Sequence, residues 1–286
     1  MATLNTGGSP NRGRKTIWHL QQMKDKGEVI TQFSPGMLDP IFTQAAERAG
    51  VDICRYIAPG ENVEHVGQNF GWWTRYIRET SKIIHLNSVV PTHFYSDKYT
   101  AVKECSKIIC DGADSILPMG VTNEVVEYMT NHNIPVFGHI AILSYWQVTN
   151  VGGFRRIGKT ADDAYKVFRK AYEYQESGMK AMTIEMTPRE VSHAIAKKMR
   201  VPVISIAGSD ACDGSELVMH DMFKLIPEES MGIHAKIYGD FYGHFTGGFK
   251  AFADDVRSGE YPKENNGWSM DEKELDKFMN LVEQKH

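Results

Sequence analysis

The sequence predicts an α/β protein, a (β/α)8 TIM barrel with extra C-terminal helices, and three observations carry that prediction. Short β-branched and apolar runs alternate with longer helical patterns from Thr16 onward. Eight such runs occur, each followed by a helix or a long loop, which is the order a closed parallel barrel needs. The length of 286 residues, 42% of them hydrophobic, suits one large core, since such barrels run near roughly 250 residues. A doubly wound open sheet is the alternative, but no G-x-G-x-x-G follows the first strand.

The elements follow in chain order. Residues 1–14 are polar and rich in Gly, Asn and Arg, so residues 1–15 read as a flexible arm and residues 16–286 as a single barrel domain with a C-terminal helical extension. Strands are predicted at 29–33, 52–57, 83–90, 115–119, 136–140, 181–185, 203–207 and, from a weaker pattern, 216–221. Helices are predicted at 40–49, 98–111, 122–131, 161–177 and 188–198. Several of them end near Gly or Asn and lead into a strand, as in E-R-A-G-V-D-I and E-S-G-M-K-A-M. Beyond Ile233 the aromatics Tyr238, Phe241, Tyr242, Phe245, Phe249 and Phe252 recur at partly helical spacing, interrupted by glycines. Such a stripe packs over the barrel or against another subunit. The final M-D-E-K-E-L-D-K-F-M-N-L-V-E-Q-K is an amphipathic helix.

Composition excludes several classes. A net charge of −4 gives no electrostatic footprint for nucleic acid or a membrane surface, so a small molecule is the expected partner. No apolar run approaches the roughly 18–20 residues of a spanning helix, and the N-terminal residues lack the apolar core of a signal peptide. Four cysteines (Cys54, Cys105, Cys110, Cys212) without a C-x-x-C pair read as reduced structural thiols in a cytoplasmic protein.

Chemistry concentrates between Pro135 and Leu225. His139 ends P-V-F-G-H-I, Glu185 ends A-M-T-I-E, and a His220–Asp221 pair closes D-G-S-E-L-V-M-H-D. In a barrel, the carboxyl ends of the strands face the reaction cup. Alternation puts Ala181, Thr183 and Glu185 on one face. Glu185 is a candidate base or acid there; it could equally pair with a nearby cation or cap the helix at Pro188. His139 is a candidate donor to a substrate carbonyl or a metal ligand, although a lone His is more often a satisfied core residue. Tyr56, His85, Asn87 and Met119 are candidate substrate contacts. His220 and Asp221, adjacent on a possible strand, would point to opposite faces, which argues against a dyad. G-G-F-R-R-I-G-K-T at 152–160 could cradle an anion with Arg155, Arg156 and Lys159, or be a surface loop.

These segments resemble the ketopantoate hydroxymethyltransferase family (3-methyl-2-oxobutanoate hydroxymethyltransferases), within the phosphoenolpyruvate/pyruvate-type barrel superfamily. The family pattern G-H-I/L-G-L-T-P is matched by G-H-I-A-I-L-S, and G-G-Y/F-x-x-x-G-R/K by G-G-F-R-R-I-G-K. L-E-x-V-P is matched by I-E-M-T-P, I-G-I-G-A-G by I-S-I-A-G-S, and D-G-Q-x-L-V-x-H-D by D-G-S-E-L-V-M-H-D. A looser likeness runs from about Thr16 to Pro262. The resemblance implies the barrel, a ring-like homo-oligomer, a hydroxymethyl transfer with methylenetetrahydrofolate as one-carbon donor, and a magnesium site.

The chain departs from the family where that cation belongs. The family's G-D-S, D-x-P and K-x-E-G-G segments supply three carboxylates and a substrate-holding lysine. Here Ala58, Val89 and Met119 stand at the carboxylates and Leu117 at the lysine. A hard cation needs oxygen ligands, and without it an enolate loses an electrophilic stabiliser worth several kcal/mol. Glu61, Glu64 and His65 could form a relocated site, or simply be solvated. The expectation is therefore a diverged relative without magnesium that makes or breaks a C–C bond beside a carbonyl. A metal-independent hydrolase or lyase, and a non-catalytic assembly subunit, are the alternatives.

Overall fold

A computed structural model describes residues 13–35, 40–57, 70–142, 152–208, 210–225 and 234–284. Eight parallel strands form the barrel: β1 (Ile30–Ser34), β2 (Ile53–Ile57), β3 (His85–Val90), β4 (Ser115–Pro118), β5 (Phe137–Ala141), β6 (Ala181–Glu185), β7 (Val203–Ile206) and β8 (Gly214–Val218). Their order is β4-β3-β2-β1-β8-β7-β6-β5, and the single bridge Ile116–Val136 draws β4 and β5 together. Around them run α1 (Ile17–Lys26), α2 (Pro40–Ala49), α3 (Phe70–Thr80), α4 (Lys98–Cys110), α5 (Asn123–Asn131), α6 (Ala161–Glu176), α7 (Arg189–Lys198) and the single turn α8 (Met219–Met222). Helices α9 (Phe241–Ser258) and α10 (Glu272–Gln284) follow. Helices α1 and α3 were not among the elements expected from the sequence.

Local chemistry sets the element ends. The Asp97 side chain accepts from the amides of Tyr99 and Thr100 at the start of α4, and Thr122 and Thr160 cap α5 and α6 in the same way. Strand β8 begins at Gly214, two residues before the expected strand, and ends at Val218. A Cβ at Gly214 would lie 2.1 Å from the Ile30 carbonyl oxygen, so only glycine permits this approach of β8 to β1. His220 and Asp221 consequently fall on the helical turn α8 rather than on a strand.

Burial separates an outer shell from a lumen. The shell packs Ile116, Ile140, Met182, Ile184 and Val203 of the strands under α4 to α7. In the lumen, Ile30, Ile53, Phe137, Ala181 and Ile204 meet Leu20 of α1, which plugs the foot of the barrel. Each of the Ile, Leu and Phe side chains buried there contributes about 1.5–3 kcal/mol. Arg14 and Lys15, at the end of the expected arm, are anchored: Arg14 donates to the Gly112 and Ala113 carbonyls and pairs with Asp114, and Lys15 pairs with Asp52. By contrast, α9 and α10 bury none of their residues. Phe245, Phe249, Phe252 and Val256 lie exposed along α9.

Candidate active site

Above the apolar plug the lumen turns polar. Arg55 on β2 reaches across it, and its Nη1 donates to Glu216 Oε2 at 2.7 Å and its Nε to Asn87 Oδ1 at 3.0 Å. Its Nη2 donates to Thr183 Oγ1 on β6, and the guanidinium lies 5.1 Å from the Phe137 ring centroid. Glu216 also accepts from Gln32 Nε2 at 2.7 Å and from Ser34 Oγ. Arg55 and Glu216 are both almost fully buried, at 4% and 2% side-chain exposure, so water does not screen the pair. Hydrogen bonds on every side compensate the desolvation. This layer is the floor of the cup.

His139 and Glu185 stand on that floor. On the paired strands β5 and β6, His139 is in register with Thr183 and Ala141 with Glu185. His139 Nε2 lies 2.9 Å from Glu185 Oε2. The other ring nitrogen, Nδ1, is buried and has no hydrogen-bond partner among the described residues. A buried polar nitrogen left in this state is costly unless something else meets it, and a substrate oxygen is such a partner. When Nε2–H donates to a carboxylate in the neutral ring, Nδ1 accepts; one further proton on the pair makes Nδ1 a donor.

The backbone beside this pair is strained. Ala141, Met186 and Ala207, at the ends of β5, β6 and β7, adopt φ of 72°, 52° and 53°. Side chains with a Cβ disfavour this left-handed region, and such residues gather at functional sites. Ala141 and Ala207 stand where the family patterns quoted above carry glycine.

The neighbouring arc of the cup, at β3 and β4, is apolar. Val89, Leu117 and Met119, at the ends of β3 and β4, form a buried cluster of their own. These positions offer no oxygen ligand, so they do not fit a magnesium ion. No group of three or more His, Cys, Asp or Glu side chains among the described residues could hold a metal. Ala58, Glu61, Glu64 and His65 lie outside the described residues.

The sequence-predicted residues therefore separate. Glu185 and His139 come together, and Met119 lines the apolar side. Asn87 lies in the floor, its amide nitrogen donating to Ser115 Oγ at 2.9 Å. His85 is at the foot rather than the cup: it begins β3, with Nε2 2.8 Å from Ser115 Oγ and Nδ1 3.2 Å from the Lys15 carbonyl oxygen. Burial pushes its pKa down to about 4, against the pull of Asp114. Tyr56 points the other way, out of the lumen, where it packs with Ile77 and Leu86 and its hydroxyl meets Thr74 Oγ1 at 2.7 Å. Alternation explains this correction, because Arg55 faces in and its neighbour must face out. Asp221 and His234 approach only to 4.0 Å. Arg55, Glu216, Gln32 and Ser34 were missed by the sequence reading; the available signal was a charged residue inside each of two apolar strands.

Comparison with known proteins adds the relationship. The family model for ketopantoate hydroxymethyltransferase matches residues 14–264. The chain is 25% identical to 3-methyl-2-oxobutanoate hydroxymethyltransferase 1 of Methylibium petroleiphilum, over 96% of each protein. It is 33% identical to 3-methyl-2-oxobutanoate hydroxymethyltransferase of Hyperthermus butylicus, over 64% of this chain and 63% of that protein. Among solved structures it resembles 2,3-dimethylmalate lyase, a PEP mutase/isocitrate lyase superfamily member, with TM-score 0.54 and 11% identity over 95% of this chain and 99% of that one. At that identity the likeness concerns the fold alone.

Proposed function

The chain belongs to the ketopantoate hydroxymethyltransferase family, and on that premise we propose that it makes or breaks a C–C bond beside a carbonyl, without the magnesium site implied by the resemblance. The observation that carries this reading is the His139–Glu185 contact of 2.9 Å with the buried Nδ1 left over. Glu185 removes the proton from the carbon beside the carbonyl. Protonated His139 keeps its Nε2–H on Glu185 and donates Nδ1–H to the oxygen that gains charge. The apolar group of the substrate packs against Val89, Leu117 and Met119. Family membership supports one-carbon transfer, with methylenetetrahydrofolate as donor, as the form of the reaction.

The same proposal includes a homo-oligomer, in which the exposed aromatic face of α9 meets a second copy of the chain. It also places the protein in the cytoplasm. Two observations are consistent with that setting: the cysteines are free thiols, and no described helix is long and apolar enough to cross a membrane.

The chemical half is tested by proton exchange. In deuterated water, the wild type is expected to exchange the C3 proton of 3-methyl-2-oxobutanoate, followed by NMR, and Glu185→Gln to lose that exchange while keeping its melting temperature. Exchange at the wild-type rate in Glu185→Gln would remove the residue from the reaction.

A further inference from the structure

We propose that the rim of the cup above β6 and β7 carries an anion subsite, which seats a carboxylate or phosphate group of the reacting molecule between Arg156 and Lys159. The proposal rests on the cup below it being the reaction site. It also names the class of molecule: one with an anionic group set apart from the carbonyl that reacts.

A groove of about 420 Å³ opens there, and Arg156, Lys159 and Arg189 are its charged lining residues. Arg189 is already neutralised, since its Nε donates to Asp210 Oδ1 at 2.6 Å. Arg156 and Lys159, both exposed, make no ion pair or hydrogen bond with any described residue. The groove thus carries two exposed cations that form no ion pair with the described residues. An anion seated in the groove can meet both cations at once.

The loop bearing these cations is tied down at Ile157 and Gly158. The Ile157 amide donates to the Met186 carbonyl oxygen at 3.1 Å, and the Gly158 amide to Asp163 Oδ2 at 2.6 Å. Gly158 adopts φ 85°, and a Cβ there would lie 3.4 Å from Thr187 Cγ2. Ile157 and Gly158 are thereby held against Met186 and Thr187, the two residues that follow Glu185. At about 3.5 Å per extended residue the groove begins within roughly 7 Å of Glu185 along the chain. A small molecule can span both places. The first turn of α7, at the groove's edge, adds the positive end of a helix.

The location matches what the cup has lost. The resemblance gives a substrate-holding lysine where Leu117 stands on β4, among Val89 and Met119. The cations at the β6–β7 rim, Lys159 among them at a position where the family pattern also carries Arg or Lys, remain. An anionic group would be held from the β6–β7 arc rather than from β4.

Calorimetric titration with inorganic phosphate and, separately, with succinate at low ionic strength tests the proposal. Wild type, Glu185→Gln and the double variant Arg156→Gln/Lys159→Gln are compared, with Arg156→Lys/Lys159→Arg as the charge-keeping control. At least one probe is expected to bind wild type, Glu185→Gln and the control alike. The double variant should bind roughly tenfold or more weakly, the loss expected when charge-assisted hydrogen bonds are removed. The preferred probe identifies the group as phosphate or carboxylate. Binding of neither probe to wild type, or equal binding by the folded double variant, overturns the subsite. Because Glu185→Gln reads the chemistry separately, loss of the subsite and loss of the proposed reaction are distinguishable.

Discussion

The β5–β6 side of the cup and the β3–β4 side belong to one barrel and rest on one floor, yet they carry opposite chemistry. On the first, His139 and Glu185 meet at 2.9 Å, next to backbone held in the left-handed region. On the second, Val89, Leu117 and Met119 close on one another, and the left-handed position after β4 is taken by Gly120, which bears it without strain. Titratable groups and strain coincide, and so do apolar packing and relaxed backbone. A barrel can therefore change one arc of its cup independently of the other, because each strand end contributes its own side chain to a common floor.

Kinetics give the largest expected difference between the two sides. Glu185→Gln should lower turnover by about 10²–10⁴, the range for loss of a general acid or base. Met119→Leu keeps volume and should cost less than about 1.5 kcal/mol of stability, with its kinetic effect mainly in KM. Steady-state assays on the two variants check this. A fall in kcat with Met119→Leu as deep as that with Glu185→Gln would end the distinction between a chemical and a packing side.

The next effect concerns the shared floor. Arg55→Met leaves Glu216 buried without its cation and should cost about 3–5 kcal/mol in urea unfolding. Arg55→Met/Glu216→Leu should regain most of that loss, since an apolar pair avoids both desolvations. If the single variant unfolds like wild type, the pair does not hold the two sides together.

This floor also shows how much of the molecule was legible in the sequence. Alternating strands and helices gave the barrel, and the helices predicted at 122–131 and 161–177 start within a residue of α5 and α6. His139 and Glu185 could be paired because both end apolar strands, one strand apart. Tyr56 and His85 could not be placed from spacing alone. Alternation assigns them a face only once the inward residue of each strand is known, and depth along the lumen depends on barrel stagger. Arg55 and Glu216 escaped because each looks like a misplaced surface charge until the other is seen beside it.

A smaller effect separates foot from cup. The His85 pKa is lowered to about 4 by burial, while the unfolded chain keeps the ordinary value of 6.5. Between those values the unfolded state binds the extra proton and the folded state does not. Stability should therefore fall as pH drops from about 6.5 toward 4, by at most roughly 1.4 kcal/mol per unit. Urea midpoints at pH 7, 6 and 5 measure the slope, and His85→Gln should flatten it. An unchanged slope in that variant would assign the acid sensitivity elsewhere than His85.

The smallest effect tests the strain itself. A residue with a Cβ at φ near 60° costs about 1–2 kcal/mol relative to its relaxed conformation. Replacing it by glycine removes that cost but returns about 0.5–1 kcal/mol of chain entropy to the unfolded state. Ala141→Gly and Ala207→Gly should therefore each stabilise by a few tenths to about 1 kcal/mol. Gly120→Ala, on the relaxed side at φ 67°, should destabilise by a similar few tenths to about 1 kcal/mol. Thermal midpoints decide the signs. If strain at β5 and β7 positions the pair below it, the two stabilised variants should also lose some turnover, whereas strain without a role would give stability alone. Destabilisation by both glycines would mean that the packing of the Ala141 and Ala207 methyls outweighs the backbone, and the two sides would then differ in side chains only.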